Sequence, residues 1–111
     1  MESTRQKRVA KLVQKELGDI FLKESKNMFA GKMITVTQVR MSPDLTLARV
    51  YLSVFPAVTK EEFHSLVDEQ KKKIRFELSR RIHNQLRSMP ELAFFLDDSL
   101  DYIERIDKLL E

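Results

Sequence analysis

The first segment of the chain, residues 4–26, carries apolar side chains every three or four positions. This spacing places them on one face of a helix, because an α-helix completes a turn in about 3.6 residues. The opposite face is rich in lysine and arginine. We therefore predict an amphipathic helix, followed by a loop over residues 27–32. The apolar face consists of Val9, Leu12, Val13, Leu17, Ile20 and Phe21.

Two segments with the alternating pattern of β-strands follow this helix. In residues 33–41 the apolar positions change phase after Val36, which predicts either a bulge or a strand that is buried on both faces. In residues 47–55 the alternation keeps a single phase. Between them, residues 42–44 have the sequence Ser-Pro-Asp, which is typical of a turn. We predict an antiparallel hairpin.

A capping box opens the next helical segment. Thr59 is followed three residues later by Glu62, so each side chain can accept a hydrogen bond from the backbone of the other. Apolar residues then recur at helical spacing from Phe63 to Leu86. One helix over residues 60–88 is long for so small a protein. We therefore expect a break near residues 70–73, which would give two consecutive helices.

The last part of the chain predicts a strand and a helix. Pro90 ends the helical stretch, and residues 91–97 alternate as a third strand. Asp97, Asp98 or Ser99 would then cap a final helix. Its apolar stripe would consist of Ile103, Ile106 and Leu110. The predicted elements give an α+β fold in one domain over residues 1–111.

The composition excludes several classes of protein. The 111-residue chain is 42% hydrophobic and 33% charged, which is typical of a globular domain. It has no cysteine, so disulfides and thiolate metal sites are excluded. No apolar run approaches the ~20 residues that span a bilayer, and the N-terminal residues lack the hydrophobic region of a secretory signal. We expect a cytoplasmic protein that does not bind membranes.

Positive charge is concentrated in one part of the sequence. Residues 70–90 contain seven lysines and arginines against Glu77 alone, whereas residues 91–111 contain two against seven acids. Five residues of the basic segment are spaced three or four apart, so they would form one stripe on a helix. They comprise cations, an aromatic ring and an imidazole. Cations can bind phosphates, and flat rings can stack on unpaired bases. The stripe consists of Lys73, Phe76, Arg80, His83 and Arg87.

These residues predict a nucleic-acid interface on the second helical segment, with an auxiliary contact on the first helix. The predicted RNA-binding residues are Lys71, Lys72, Lys73, Arg75, Phe76, Arg80, His83 and Arg87, together with Lys7, Arg8, Lys11 and Lys15. A structural alternative exists for both groups. The stripe could be an ordinary solvated face on which Phe76 packs against a neighbour, and the cations of the first helix could serve only solubility.

Other candidate chemistry is weaker. The acids Asp97, Asp98 and Asp101 could bind a divalent ion, but their position at a helix start is explained more simply by capping. His64 and His83 occur in no metal-binding spacing, and no catalytic motif is present. We predict no cofactor, no metal, no small-molecule substrate and no enzymatic activity.

Several motifs follow one another along nearly the whole chain. They are Arg5-x-x-Arg8-Val9, then Ser42-x-Asp44-Leu45 with Ala48-x-Val50-Tyr51-x-Ser53, then Ile74-Arg75, and finally Pro90-Glu91-Leu92-x-Phe94 with Asp97-x-Ser99. In this order, they resemble the ribosome-binding factor A family. The family usually has an Ala-x-Gly kink between its paired helices. The corresponding stretch here, Glu69-Gln70-Lys71-Lys72-Lys73, contains neither alanine nor glycine.

The resemblance implies a KH-like domain of type II topology, helix–strand–strand–helix–helix–strand, with a three-stranded sheet and a C-terminal helix. It also implies a non-catalytic factor that binds the free, immature small (30S) ribosomal subunit, assists maturation of 16S ribosomal RNA and supports adaptation to cold. We further expect a monomer. One function of another class stays open, namely a protein–protein adaptor that uses the acidic C-terminal helix.

Overall fold

The computed structural model describes residues 2–29 and 31–97, with the backbone alone for residues 25–28. The described chain runs helix, strand, strand, helix, strand, which confirms the α+β class. Its elements are α1 (Thr4–Met28), β1 (Met33–Met41), β2 (Leu47–Phe55), α2 (Lys60–Ile82) and β3 (Glu91–Leu96). The predicted final helix falls on residues 98–111, outside the described residues. No helix within the described ranges is long and apolar enough to cross a membrane.

The three strands form one mixed sheet in the order β1-β2-β3. β1 pairs with β2 in an antiparallel hairpin, as predicted, and β3 pairs with β2 in parallel. The register shifts between Val36 and Gln38, so the change of phase in β1 is a bulge. The bulge lets apolar residues on both sides of it point to the same buried face. Tyr51 and Phe95 stack with ring centroids 5.3 Å apart.

The two helices cover one face of the sheet, and the hydrophobic core lies between the two layers. The predicted apolar face of α1 is buried there, except for the partly exposed Leu12. The predicted loop after α1 contributes as well: Phe29 is buried and its ring meets that of Phe21 edge-on at 5.5 Å. The most deeply buried residues include Val13, Leu17, Ile20, Phe21, Phe29, Ala48, Val50, Leu52, Phe63, Ile74, Leu78 and Ile82.

The predicted break near residues 70–73 is wrong, because α2 is one unbroken helix. Residues 70–73 are glutamine and lysines, straight-chain residues with good helix propensity, and they include neither glycine nor proline. Ile74 and Leu78 also continue the same buried face that Phe63 and Val67 begin. The described chain therefore has one helix where the type II order has two.

α2 also ends earlier than the predicted residue 88. Its last residue is Ile82, and the backbone N–H of His83 donates to the Ser79 carbonyl at 2.9 Å. Pro90 cannot continue a helix and disfavours helical geometry at the residue before it. The Glu91 N–H then donates to the Thr46 carbonyl at 2.8 Å, which joins the start of β3 to the hairpin. Residues 83–90 therefore form an irregular segment that carries the chain from the end of α2 to the start of β3.

The start of α1 is fixed by a second capping box, which our sequence analysis overlooked. The Ser3 hydroxyl accepts from the Gln6 N–H at 3.1 Å, and Gln6 Oε1 accepts from the Ser3 N–H at 2.7 Å. Gln6 Nε2 also donates to the buried carbonyl of Met41 at 3.0 Å. The side chain of Gln6 therefore connects the N-terminus of α1 to the end of β1.

Replacement of Gln6 by alanine should lower the free energy of unfolding by about 1–3 kcal/mol, because a buried carbonyl loses its donor and the helix loses half of its cap. Urea denaturation of the full chain measures the change. Lys11→Ala, an exposed position on the same helix, serves as the control and should stay within about 0.5 kcal/mol of the parent. Equal losses in both variants would contradict the role of Gln6.

Arg81 connects the two helices, which run antiparallel. Its Nη1 atom lies 3.3 Å from Glu16 Oε2 and donates a hydrogen bond to the Asp19 carboxylate, so one cation bridges two acids of α1. The pKa of the Asp19 carboxyl is lowered, first by the hydrogen bond from Arg81 and then by that from Lys23. Farther along the helix pair, Lys73 Nζ lies 3.7 Å from Glu24 Oε2.

The Arg81 bridge should make stability depend on acid pH. Because the folded-state pKa of Asp19 lies below its ordinary value near 3.8, the bridge stabilises the fold above that value and is lost as the pH falls through the folded-state pKa. The urea midpoint of Arg81→Met should therefore lie below that of the parent at neutral pH, and the difference should shrink in acid.

Arg80→Met is the matched control, since Arg80 pairs only with Glu77 of its own helix among the described residues. Its urea midpoint should follow that of the parent protein at every pH. A difference between Arg81→Met and the parent that stays constant from neutral to acid pH would exclude the ion pair as the cause.

Candidate nucleic-acid interface

The exposed face of α2 carries three of the five residues of the predicted stripe, and a fourth, His83, is the C-cap of this helix. Lys73, Phe76, Arg80 and His83 are all exposed, while the buried residues of α2 lie on the opposite face. The alternative of a packed phenylalanine is not what the structure shows, since the Phe76 side chain is 61% exposed. Other large apolar side chains are exposed as well, with Phe55 at 70%, so what distinguishes Phe76 is the cation beside its ring.

Phe76 and Arg80 form a local unit on this face. The guanidinium carbon of Arg80 lies 5.9 Å from the centre of the Phe76 ring, which is within the range of a cation–π contact. Arg80 Nη1 also lies 3.4 Å from Glu77 Oε1, and His83 Nδ1 lies 3.0 Å from the Arg80 carbonyl. The unit presents a flat apolar surface and a planar cation side by side, which suits a base and its phosphate.

The remaining cations of α2 separate into two groups. Lys72 is exposed next to the stripe, and Lys73 shares its charge with Glu24 of α1. Lys71 and Arg75 instead lie beside β3, where they line a small cavity of about 80 Å³ with Glu91. The predicted set therefore does not form one continuous patch, and the part nearest Phe76 is Lys72, Lys73, Arg80 and His83.

Arg87 does not belong to the helical stripe, and this part of the prediction is wrong. Because α2 ends at Ile82, Arg87 lies in the irregular segment that leads to β3. It lines a cavity of about 90 Å³ with His83, and a larger one of about 290 Å³ with Arg5. In the sequence, Arg5 is notable only as part of the motif Arg5-x-x-Arg8-Val9. No local pattern could have joined it to Arg87, because tertiary packing brings the two together.

The basic residues of α1 are exposed as predicted. Lys7, Arg8, Lys11 and Lys15 all face solvent, and none forms an ion pair within the part of the chain that the structure describes. The flank of α1 that faces α2 is acidic, but Arg81 and Lys23 compensate its charge. Lys23 Nζ lies 3.1 Å from Asp19 Oδ2. The basic faces of both helices lie on the side of the molecule opposite the open face of the sheet.

Of the acidic candidates Asp97, Asp98 and Asp101, the structure describes Asp97 alone. Asp97 accepts a hydrogen bond from the Thr37 hydroxyl, whereas Asp98 and Asp101 are outside the described residues. Within residues 2–29 and 31–97, no three histidine or acidic side chains are grouped so that they could hold a metal ion. His64 is exposed and meets the Phe63 ring at 5.6 Å.

The hairpin turn is held by the carboxylate of Asp44. Its Oδ1 accepts hydrogen bonds from the hydroxyls of Ser42 and Thr46, both at 2.7 Å, and from the Thr46 N–H at 3.1 Å. These bonds hold the pKa of Asp44 below its ordinary value, with the Thr46 hydroxyl as the largest cause. Leu45 follows with a φ of 63°, a left-handed conformation that is rare for leucine.

Comparison with known proteins places these motifs in a family. The family model described as ribosome-binding factor A matches residues 5–110. The ribosome-binding factor A of Cytophaga hutchinsonii is 44% identical over 110 residues, which span 99% of this chain and 83% of that protein. The ribosome-binding factor A of Flavobacterium psychrophilum is 45% identical over 111 residues, which span 99% and 85% respectively.

Solved structures show the same fold at much lower identity. The crystal structure of ribosome-binding factor A from Thermus thermophilus is 20% identical, with a TM-score of 0.66 over 82% of this chain and 94% of that one. A homology model of the Thermus thermophilus factor, fitted into a cryo-electron microscopy map of a 30S complex, matches at 22% identity, with a TM-score of 0.60 over 78% of this chain and 89% of that one. By sequence and by fold, this chain belongs to the ribosome-binding factor A family.

Proposed function

We propose that this chain is a non-catalytic assembly factor that binds the immature small (30S) ribosomal subunit and assists maturation of 16S ribosomal RNA. Family membership supports the proposal, and the Thermus thermophilus relative is fitted into the map of a 30S complex. The observation that carries the RNA contact is the exposed Phe76 ring with Arg80 beside it, on a helix face that also carries lysines.

The mechanism needs no covalent step. Lys72 and Arg80 would neutralise backbone phosphates, and an unpaired base would stack on Phe76. The face is held rigidly, because Ile74 and Leu78 on the other side of the helix are completely buried. A rigid surface binds only RNA that already presents the matching geometry. Binding would therefore raise the population of that RNA conformer over its competitors.

The proposal also covers the oligomeric state of the factor, its compartment and the temperature at which it matters most. We expect the factor to act as a monomer in the cytoplasm and to matter most in the cold, when misfolded RNA rearranges slowly. The alternative adaptor function depends on residues 98–111, which lie outside the described residues. RNase treatment of a lysate separates the two functions, because an adaptor would keep its protein partner and an RNA-binding factor would lose its association.

Reversal of Lys72 and Arg80 to glutamate should weaken binding to immature small subunits at least tenfold, because two attractive phosphate contacts become repulsive. Filter binding at several salt concentrations measures the affinity. If the parent protein neutralises about five phosphates, its log–log slope against salt should be roughly −3.5 to −4.5, and the double variant should be shallower by about 1.5.

The matched control reverses Arg49 and Lys60, which changes the net charge equally. Both are exposed and neither is in the predicted interface. This control should bind within about threefold of the parent. Equal weakening of the two double variants would show that only general positive charge matters, and the stripe would then be an ordinary solvated face.

The Phe76 ring should contribute through stacking, which does not depend on charge. Phe76→Ala should lose affinity for small-subunit RNA by about 5–150-fold, the equivalent of about 1–3 kcal/mol for one stacked base, while the salt slope stays the same. Phe76→Tyr keeps the flat ring and should retain most of the affinity. Folding should be little affected, since the side chain is exposed. Parent-like binding by Phe76→Ala would exclude stacking at this ring.

A further inference from the structure

Two motifs that are far apart in the sequence meet at one cavity. Arg5 and Val9 of α1 form one wall, and Asp44 and Leu45 of the hairpin turn form another. The segment after α2 closes the third side with Arg87. The cavity measures about 290 Å³, at the lower end of the range of small-molecule sites. A phosphate group with its sugar fits a space of this size better than a larger ligand does.

The charge of the cavity suits an anion. Arg5 and Arg87 are both exposed, and neither takes part in an ion pair among the described residues. Ser3 and Ser88 also line the space. Each guanidinium presents several N–H donors in a planar fork, which matches the oxygens of a phosphate.

One acid faces these two arginines. Asp44 also lines the cavity, and it stays ionised because its own turn lowers its pKa. Its Oδ1 atom is committed to three hydrogen bonds from Ser42 and Thr46. The carboxylate therefore serves the turn, and the cavity keeps an excess of one positive charge.

The walls are held in place before any ligand binds. The reciprocal bonds between Ser3 and Gln6 fix the first turn of α1, and the bond from Gln6 to the Met41 carbonyl joins that turn to the sheet. The N–H of Leu45 donates to the Ser42 carbonyl at 3.0 Å, which fixes the hairpin side. A site built on fixed walls loses little entropy when it binds.

The cavity also continues the surface of α2. The smaller cavity of about 90 Å³ begins at Ser79 and His83 on the helix and shares Leu86, Arg87 and Ser88 with the larger one. The two cavities are therefore neighbours between the end of the stripe and Arg5. An RNA strand that crosses Phe76 and Arg80 could therefore place a following phosphate between Arg5 and Arg87.

We propose that Arg5 and Arg87 bind a phosphate group in this cavity. The inference rests on the RNA-binding function proposed above, since it assigns that phosphate to the strand that crosses α2. A free phosphate is the other source of the same chemistry, and the experiment is designed to separate the two.

The test uses the full ¹⁵N-labelled chain with two probes at constant ionic strength, inorganic phosphate and a short single-stranded oligouridylate. With the oligouridylate, backbone amides of Arg5, Leu45 and Ser88 should shift. These shifts should vanish in Arg5→Gln/Arg87→Gln, whose affinity for small-subunit RNA should fall about tenfold. Arg49→Gln/Lys60→Gln loses the same charge away from the cavity and should stay within about threefold of the parent.

Each other outcome overturns part of the proposal. Shifts with inorganic phosphate and none with RNA would assign the site to a free anion and exclude the RNA phosphate. No shifts with either probe would exclude the site. If the cavity variant binds RNA like its control while Lys72→Glu/Arg80→Glu is still weakened, the cavity inference fails and the proposed function stands. If both variants bind like the parent, the RNA-binding function fails as well.

A folding check accompanies these measurements. Arg87→Lys keeps the positive charge and removes the planar guanidinium. Because residue 87 lies outside any helix or strand, the urea midpoint of this variant should match that of the parent. It should still lose part of the RNA affinity. Full affinity in this variant would show that Arg87 contributes charge alone and makes no fork-like phosphate contact.

Discussion

The parallel pairing of β3 with β2 is the constraint on which the rest of the structure depends. Parallel neighbours require a connection that returns the chain to the start of the first strand. β2 has nine residues, which span about 30 Å, and α2 has 23 residues, which span about 34 Å. One unbroken helix is thus long enough to make the return. Its inner face must be apolar to cover the sheet, so the outer face is left for charge.

The same constraint explains why the sequence predicts the elements better than it predicts the site. Periodicity predicts α1, the two strands of the hairpin and β3, because each has a face that is buried in the core. The change of phase in β1 left two alternatives, a bulge or a strand buried on both faces, and the register shows the bulge. The predicted break in α2 came from the length of the helical stretch, whereas the residues at that point, glutamine and lysines, favour a continuous helix. Leu86 keeps the helical spacing beyond Ile82, so the end of α2 could not be predicted from spacing. The end of α2 is set by the position that the chain must reach to begin β3 beside β2.

Positive charge in this chain serves two purposes that composition does not separate. Arg80 and Arg81 are neighbours in sequence, yet Arg81 bridges two acids of α1 and stabilises the helix pair, whereas Arg80 lies over an exposed ring. A rotation of about 100° between successive helix residues is enough to give them these different roles. Likewise, Arg5 and Arg87 are neighbours only in the folded state. The basic segment predicts that a surface binds polyanions, but the packing decides which cations remain available.

A non-catalytic factor of this kind can act only through a difference in affinity between RNA conformers. The two proposed contacts are ones that a competing conformer could fail to satisfy together: a base on Phe76 and a phosphate in a cavity beyond the end of α2. A conformer that lacks the stacked base alone loses about 1–3 kcal/mol, a factor of roughly 5–150 in population. Phosphate contacts spread along the backbone would discriminate less, because any RNA conformer carries phosphates. In the proposed mechanism, selection among RNA conformers would therefore depend on the fixed distance between ring and cavity, which α2 and the return to β3 set.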